Sequence, residues 1–302
     1  MSVPYRKILL PLDGSPLAAH VLDHVSWLAA PGTASLILVS AIENWRYAIP
    51  SQEFVMRDLI AGLRAGSEQY LDEVRQQFQQ KGYQVTTHVA DGEPAQIILD
   101  VAQAQGADLI AMSTHGRSGL ARWTLGSIAE RVLHGTTIPI FLVRAGTKIA
   151  NHKLQKILLP LDGSLVAEAA LPQAQALARA NDAQILLLQV IQRLDERSKS
   201  LLFRNEAMAK EIFAEWRAGA ESYLELLVER LARTGVTAEY RVAVDNPDQA
   251  ICNLTKGDNI DLVVMGTHGR SGVSRWVYGS VANQVLRGAH CPLLLVRTMA
   301  EA

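Results

Sequence analysis

Residues 266–280 read GTHGRSGVSRWVYGS, and residues 113–127 read STHGRSGLARWTLGS. Each copy follows an apolar run, Leu262-Val263-Val264-Met265 in the second case, and precedes a helical pattern such as Val281 to Leu286. The stretch is therefore a strand, a glycine-punctuated loop and a helix start. Glycine lets a backbone approach a ligand closely because no Cβ intervenes. Gly279-Ser280 and Gly126-Ser127 would present backbone N–H groups and a hydroxyl at a helix opening, a ready site for an anion such as phosphate.

The repetition extends beyond this loop. RKILLPLDGS at Arg6 to Ser15 returns as QKILLPLDGS at Gln155 to Ser164, and ASLILVSAI at Ala34 to Ile42 returns as AQILLLQVI at Ala183 to Ile191. AGSEQYLDEV from Ala65 returns as AGAESYLELL from Ala218, and IPIFLVR at Ile138 to Arg144 as CPLLLVR at Cys291 to Arg297. The second half is slightly longer, with the insertion inside Leu194 to Arg217. A repeat of half the chain is a domain duplication, since solenoid units run to about 20–50 residues. The expected domains are 1–146 and 153–302, joined by a linker within Ala145 to Leu154.

Each half alternates short apolar runs with helical periodicity. Ile8 to Leu10, Leu36 to Val39, Gln84 to Val89, Leu109 to Met112 and Ile140 to Val143 read as strands. Between them, Pro16 to Leu28, Gln52 to Gln80, Ala95 to Gln103 and Ser127 to Leu133 read as helices. The βαβαβαβαβ pattern predicts an α/β fold with a parallel sheet and helices on both faces. Runs such as LILV and LLLV lack polar alternation, as strands covered on both faces do.

Composition narrows the functional classes. The 302 residues carry a formal net charge of −1 with signs interspersed, so no electrostatic footprint for nucleic acid or an anionic membrane is expected. No apolar run approaches the ~20 residues of a membrane span. The two cysteines, Cys252 and Cys291, stand at unmatched positions in the two halves and read as reduced buried thiols in a cytoplasmic chain, with a disulfide between them as the alternative.

In open parallel sheets ligands sit beyond the carboxyl ends of the strands, where strand order reverses. Asp13 and Asp162, just after the first strand of each half, and the glycine loop after the fourth both end there. An aspartate in that crevice accepts hydrogen bonds from a base or ribose; in the bland alternative, Asp-Gly-Ser caps the next helix. His115 and His268 read as loop histidines bonding backbone, the arginines at 117, 122, 270 and 275 as a solvated face, and Trp123 and Trp276 as packing residues. The P-loop, dinucleotide and nucleophile-elbow signatures do not fit, nor do the histidines have metal-ligand spacing.

The spacing G-x-x-G, nine residues, G-[ST] resembles that of the universal stress protein family, and Gly266, Gly269, Gly279 and Ser280 match it in full. In the first half Gly116, Gly126 and Ser127 match, while Ser113 stands in place of the first glycine. The resemblance takes in the first-strand sequence and the Gly92-Glu93-Pro94 turn, which becomes Asp245-Asn246-Pro247 in the second half. It implies two tandem five-stranded sheets of order 3-2-1-4-5, and members with the glycine motif resemble ATP binders. By that resemblance Asp13 and Asp162 contact adenosine, and Ala41 and Val190 offer backbone to adenine. Met112 with Ser113, and Met265 with Gly266, line the ribose, and the remaining glycines and serines hold phosphates, with Mg or Mn from bulk. Tandem members resemble fused dimers paired through their last strands.

The expected function is cytosolic ATP binding in one or both domains during stress response or signalling, with hydrolysis slow or absent. A nucleotide-cleaving enzyme, and an interaction module presenting the helices of 52–80 and 194–233 to a protein partner, are the alternatives. The second site is expected to bind more tightly, because a serine at 113 would be strained if the loop needed positive φ there.

Overall fold

The structure, a computed structural model, describes residues 5–43, 53–114, 125–144, 153–193, 206–267 and 279–297. The chain divides into two compact units, Met1–Ile149 and Ala150–Ala302.

The first unit runs β1 (Lys7–Pro11), α1 (Pro16–Ala19), a 3₁₀ turn (His20–His24), α2 (Val25–Leu28), β2 (Ser35–Ile42), α3 (Glu53–Gln80) and β3 (Gln84–Asp91). It continues with α4 (Pro94–Gln105), β4 (Leu109–Ser113), α5 (Ser127–Gly135) and β5 (Ile140–Val143). The second unit repeats this with β6 (Lys156–Leu161), α6 (Leu165–Glu168), α7 (Leu171–Asn181), β7 (Gln184–Gln192), α8 (Glu206–Ala232) and β8 (Ala238–Asp245). Then follow α9 (Pro247–Gly257), β9 (Leu262–Gly266), α10 (Ser280–Gly288) and β10 (Leu293–Val296).

Within the first unit the strand order is β3-β2-β1-β4-β5, and within the second β8-β7-β6-β9-β10, which is 3-2-1-4-5 each time. All the pairings are parallel. The apolar runs of the sequence are the inner strands. Leu9 sits in register between Ile37 and Ile110, and Leu158 between Leu186 and Val263, and both leucines are fully buried. Helices over both faces dry these strands, which is why they need no polar alternation. The outer strands β3 and β8 are half exposed and carry the polar residues.

An aspartate fastens the first strand of each unit to the fourth. Asp108 accepts the backbone N–H groups of Arg6 (2.8 Å) and Lys7 (2.9 Å), while its own N–H donates to the Lys7 carbonyl (3.0 Å). Asp261 does the same for Gln155 (2.8 Å), Lys156 (2.9 Å) and the Lys156 carbonyl (3.0 Å). Hydrogen bonds to a charged acceptor are the stronger kind, so this clip fixes β1 against β4 and β6 against β9 at their amino ends, opposite the carboxyl ends where the crevice lies.

The helix expected over Pro16 to Leu28 is broken by the 3₁₀ turn. A continuous helix would bond the His20 carbonyl to the N–H of residue 24. Instead the His24 ring donates from Nδ1 to that carbonyl at 3.1 Å. His24 is buried against Trp27 and Phe141. Burial holds its pKa below the ordinary histidine value, opposed by its bond to the His20 carbonyl and by Asp23. An unfolded chain therefore binds the proton more readily than the folded one. Stability is fully present above about pH 6.5 and falls as pH drops below it, at up to about 1.4 kcal/mol per pH unit. Urea titrations at stepped pH should show this loss, and His24→Leu should flatten that part of the curve; an unchanged slope would remove His24 from the account.

Candidate functional site

The LDGS sequence closes the first βα turn of each unit through three linked features. Gly14 and Gly163 take φ of 80°, a left-handed conformation that glycine alone adopts without cost. This turns Asp13 and Asp162 so that each accepts the N–H of the serine two residues on, at 2.9 and 3.0 Å. The serines cap the following helix: Ser15 Oγ accepts from Ala18 N at 3.1 Å and Ser164 Oγ from Ala167 N at 3.2 Å. The helix cap is thus the serine, and the aspartate instead shapes the turn at the mouth of the crevice.

The other side of the crevice is the start of α5 and α10. Gly126 and Gly279 are the N-cap residues, extended at φ −65° and −55°, and neither supplies a capping side chain. The first-turn N–H groups of a helix have no intrahelical partners, so they face the crevice with the positive end of the helix dipole. The N–H of Gly126 donates to the Thr114 carbonyl and that of Gly279 to the Thr267 carbonyl, each at 2.9 Å. These bonds join the two ends of the motif loop. Gly116, Gly269, His115, His268, the four motif arginines, Trp123 and Trp276 lie outside the described residues.

One cavity in each unit gathers every described residue singled out from the sequence. In the first unit Asp13, Ala41, Met112, Ser113, Gly126 and Ser127 line a cavity of about 280 Å³. In the second, Asp162, Val190, Met265, Gly266, Gly279 and Ser280 line one of about 1060 Å³. Ligand pockets run to about 300–1,000 Å³, so the first cavity lies just below that range and the second just above it.

The strain expected at Ser113 is absent. Ser113 ends strand β4, and it is not among the residues with positive φ. Its hydroxyl donates to the Ala18 carbonyl at 3.4 Å from a buried position. The serine fits because the chain at this point is still extended strand, so no strain there can set one site against the other.

Several residues at the site were not singled out by sequence reasoning. Tyr70 and Tyr223 hold equivalent places on α3 and α8. Burial is the main cause that raises both phenol pKa values; the Asp13 charge adds to it at Tyr70, and Glu168, which accepts from the Tyr223 hydroxyl at 2.9 Å, followed by Asp162 adds to it at Tyr223, so both stay protonated at neutral pH. Gln189 and Trp216 line the second cavity. The repeat is the signal that finds them: they stand opposite Ser40 and Leu63, both positions where the halves differ. The turn before α4 differs as well. The carboxylate of Glu93 caps α4 by accepting from Ala95 N (3.1 Å) and Gln96 N (3.0 Å), whereas Asn246, its counterpart before α9, makes no side-chain cap.

The cysteines are not positioned as nucleophiles. Burial raises the Cys252 thiol pKa and pushes that of Cys291 up to about 12, and only thiolate is reactive. Among the described residues no group of three or more His, Cys, Asp or Glu is placed to hold a metal ion. Nor is any described helix long and apolar enough to cross a membrane.

A doubly wound parallel unit, occurring twice, with a crevice between an aspartate turn and a glycine-capped helix, defines a class of α/β protein. The universal stress protein family profile matches at residues 4–144 and again at 153–297, and the chain belongs to that family as a tandem member. A universal stress protein of Mycolicibacterium smegmatis is 26% identical over 278 residues, spanning 90% of this chain and 83% of the relative. Universal stress protein YxiE of Bacillus subtilis is 31% identical over 155 residues, covering 46% of this chain and 99% of its own length. The crystal structure of a universal stress protein from Archaeoglobus fulgidus shares the fold, with a TM-score of 0.70 at 18% identity, over 99% of this chain and 98% of that one.

Proposed function

We propose that the chain binds adenine nucleotide, ATP first, in the cavities of its two units, and that binding rather than turnover serves a cytosolic stress response. The observation that carries this reading is the meeting, in one cavity of each unit, of the aspartate turn and the glycine-capped helix start. The helix start supplies N–H groups and a serine hydroxyl to a polyphosphate. The aspartate supplies an acceptor to ribose hydroxyls or base. A magnesium or manganese ion arrives with the nucleotide and is held mainly by its phosphates.

The second unit binds more tightly. What supports this is its larger cavity, about 1060 Å³ against about 280 Å³. Preorganisation of that kind reduces the cost of binding.

Cleavage between the phosphates needs an acceptor positioned to activate water. The groups gathered at the helix start are donors, which hold a phosphate chain without attacking it. Purified protein with ATP and magnesium should therefore show turnover well below about 1 s⁻¹, an ordinary enzyme rate. Faster hydrolysis that persists through further purification and disappears in Asp162→Ala would replace this reading with that of a nucleotide hydrolase.

A further inference from the structure

The two halves differ most informatively on the side of the cavity away from the helix start. In the second unit β7 and α8 form that side, and they contribute Gln189 and Trp216. The first unit has Ser40 and Leu63 at these positions. Gln189 Oε1 is buried and has no hydrogen-bond partner among the described residues. A buried acceptor left unpaired is destabilising, and such groups are rare enough in folded proteins that each calls for an explanation. Gln189 itself lines the cavity, and a turn of its side-chain amide presents this oxygen to a donor on a ligand.

Trp216 adds the second observation. It is 44% exposed while lining the cavity. Phe213 meets its ring edge-on, at 5.2 Å between centroids and 74° between planes. Trp216, Ala220 and Tyr223 fall at i, i+4 and i+7 on α8, and all three line the cavity. Residues at this spacing share a helix face, so two aromatic residues flank a small one along the cavity wall. An exposed indole on that wall suits a planar heterocycle, since every nucleobase presents a π-face.

We propose that Gln189 and Trp216 form a base-recognition subsite in the second unit. The indole stacks on the base, and Gln189 Oε1 accepts a hydrogen bond from an exocyclic amino group. The subsite rests on the nucleotide reading above and adds selectivity to it: adenine, which carries the amino group, is preferred to hypoxanthine, which presents a carbonyl oxygen instead. The first unit, with serine and leucine, lacks both elements.

Calorimetric titration of ligand-stripped Asp13→Ala protein, in which the first site is weakened, with ATP and with inosine triphosphate tests this. The parent should prefer ATP by roughly tenfold, the worth of one hydrogen bond and its loss. Gln189→Leu should abolish the preference while thermal stability holds or rises, because an unpaired acceptor has been removed. Trp216→Ala should weaken both nucleotides by about tenfold and leave inorganic triphosphate unaffected, and Trp216→Phe should restore most of the loss. If ATP binds but the preference survives Gln189→Leu, or triphosphate weakens as much as ATP in Trp216→Ala, the subsite is overturned and the nucleotide reading stands. If no nucleotide binds, both fall.

Discussion

In protein carrying Ser280→Asp, nucleotide affinity at the second unit is expected to fall at least a hundredfold while the fold stays as stable as before. Ser280 is the first residue of α10, follows the uncapped Gly279 and lines the cavity. A carboxylate in the first turn of a helix is favourable to the helix by about 0.3–1 kcal/mol, so the apo protein gains or holds stability. The same carboxylate occupies the position offered to phosphate. At about 4 Å and an effective dielectric near 20, one pair of like charges repels by about 4 kcal/mol. A hundredfold loss requires only about 2.8 kcal/mol. The opposite signs of the two effects separate loss of a binding group from damage to the fold. Titration with ATP and thermal unfolding of the same preparation check it. Unchanged affinity would move the phosphates away from α10.

The second large effect lies in the core. Leu9→Ala should destabilise the first unit by about 2–5 kcal/mol, the range for a buried leucine truncated without collapse of its surroundings. Leu9 is fully buried on β1, the middle strand of its unit, with Ile37 and Ile110 beside it. Inner-strand neighbours on two sides and helices over both faces leave little freedom to close the gap. For a unit of this size the melting temperature should drop by roughly 10 °C. Leu226→Ala is the contrast: Leu226 is 67% exposed, and surface substitutions usually stay within about 0.5 kcal/mol. Calorimetry on both variants decides, and similar melting curves would show that β1 is not the packed centre of its unit.

The strands were legible in the sequence because apolar runs and duplication are local signals. ILLPL, LILV and LIAM each declare a covered strand without reference to anything distant. Asp13 and the glycine-serine helix start were legible too, because both recur at fixed distances from a strand. The clips at Asp108 and Asp261 were not, since the groups they hold lie about a hundred residues away in sequence. The break at His20–His24 was hidden because Leu17, Val21, Val25 and Leu28 keep helical spacing through it, and the ring nitrogen that reaches back to a carbonyl there is a contact of the folded chain. The effect of Ser113 turned on a backbone angle that the sequence does not show. Its difference from Gly266 stands out in the sequence, but what matters is its backbone, which is still extended strand. Gln189 and Trp216 look unremarkable as a strand glutamine and a helix tryptophan. Only the cavity that both line gives them a shared role.

Under the proposed function, the crevice between the aspartate turn and the α10 start holds an adenine nucleotide. Isothermal titration of ligand-stripped wild-type protein with ATP in the presence of magnesium tests it most directly. Saturable binding is expected, with the tighter component missing when the same titration is run on Ser280→Asp protein. No saturable heat up to millimolar ATP, or identical isotherms from the two proteins, would contradict the claim.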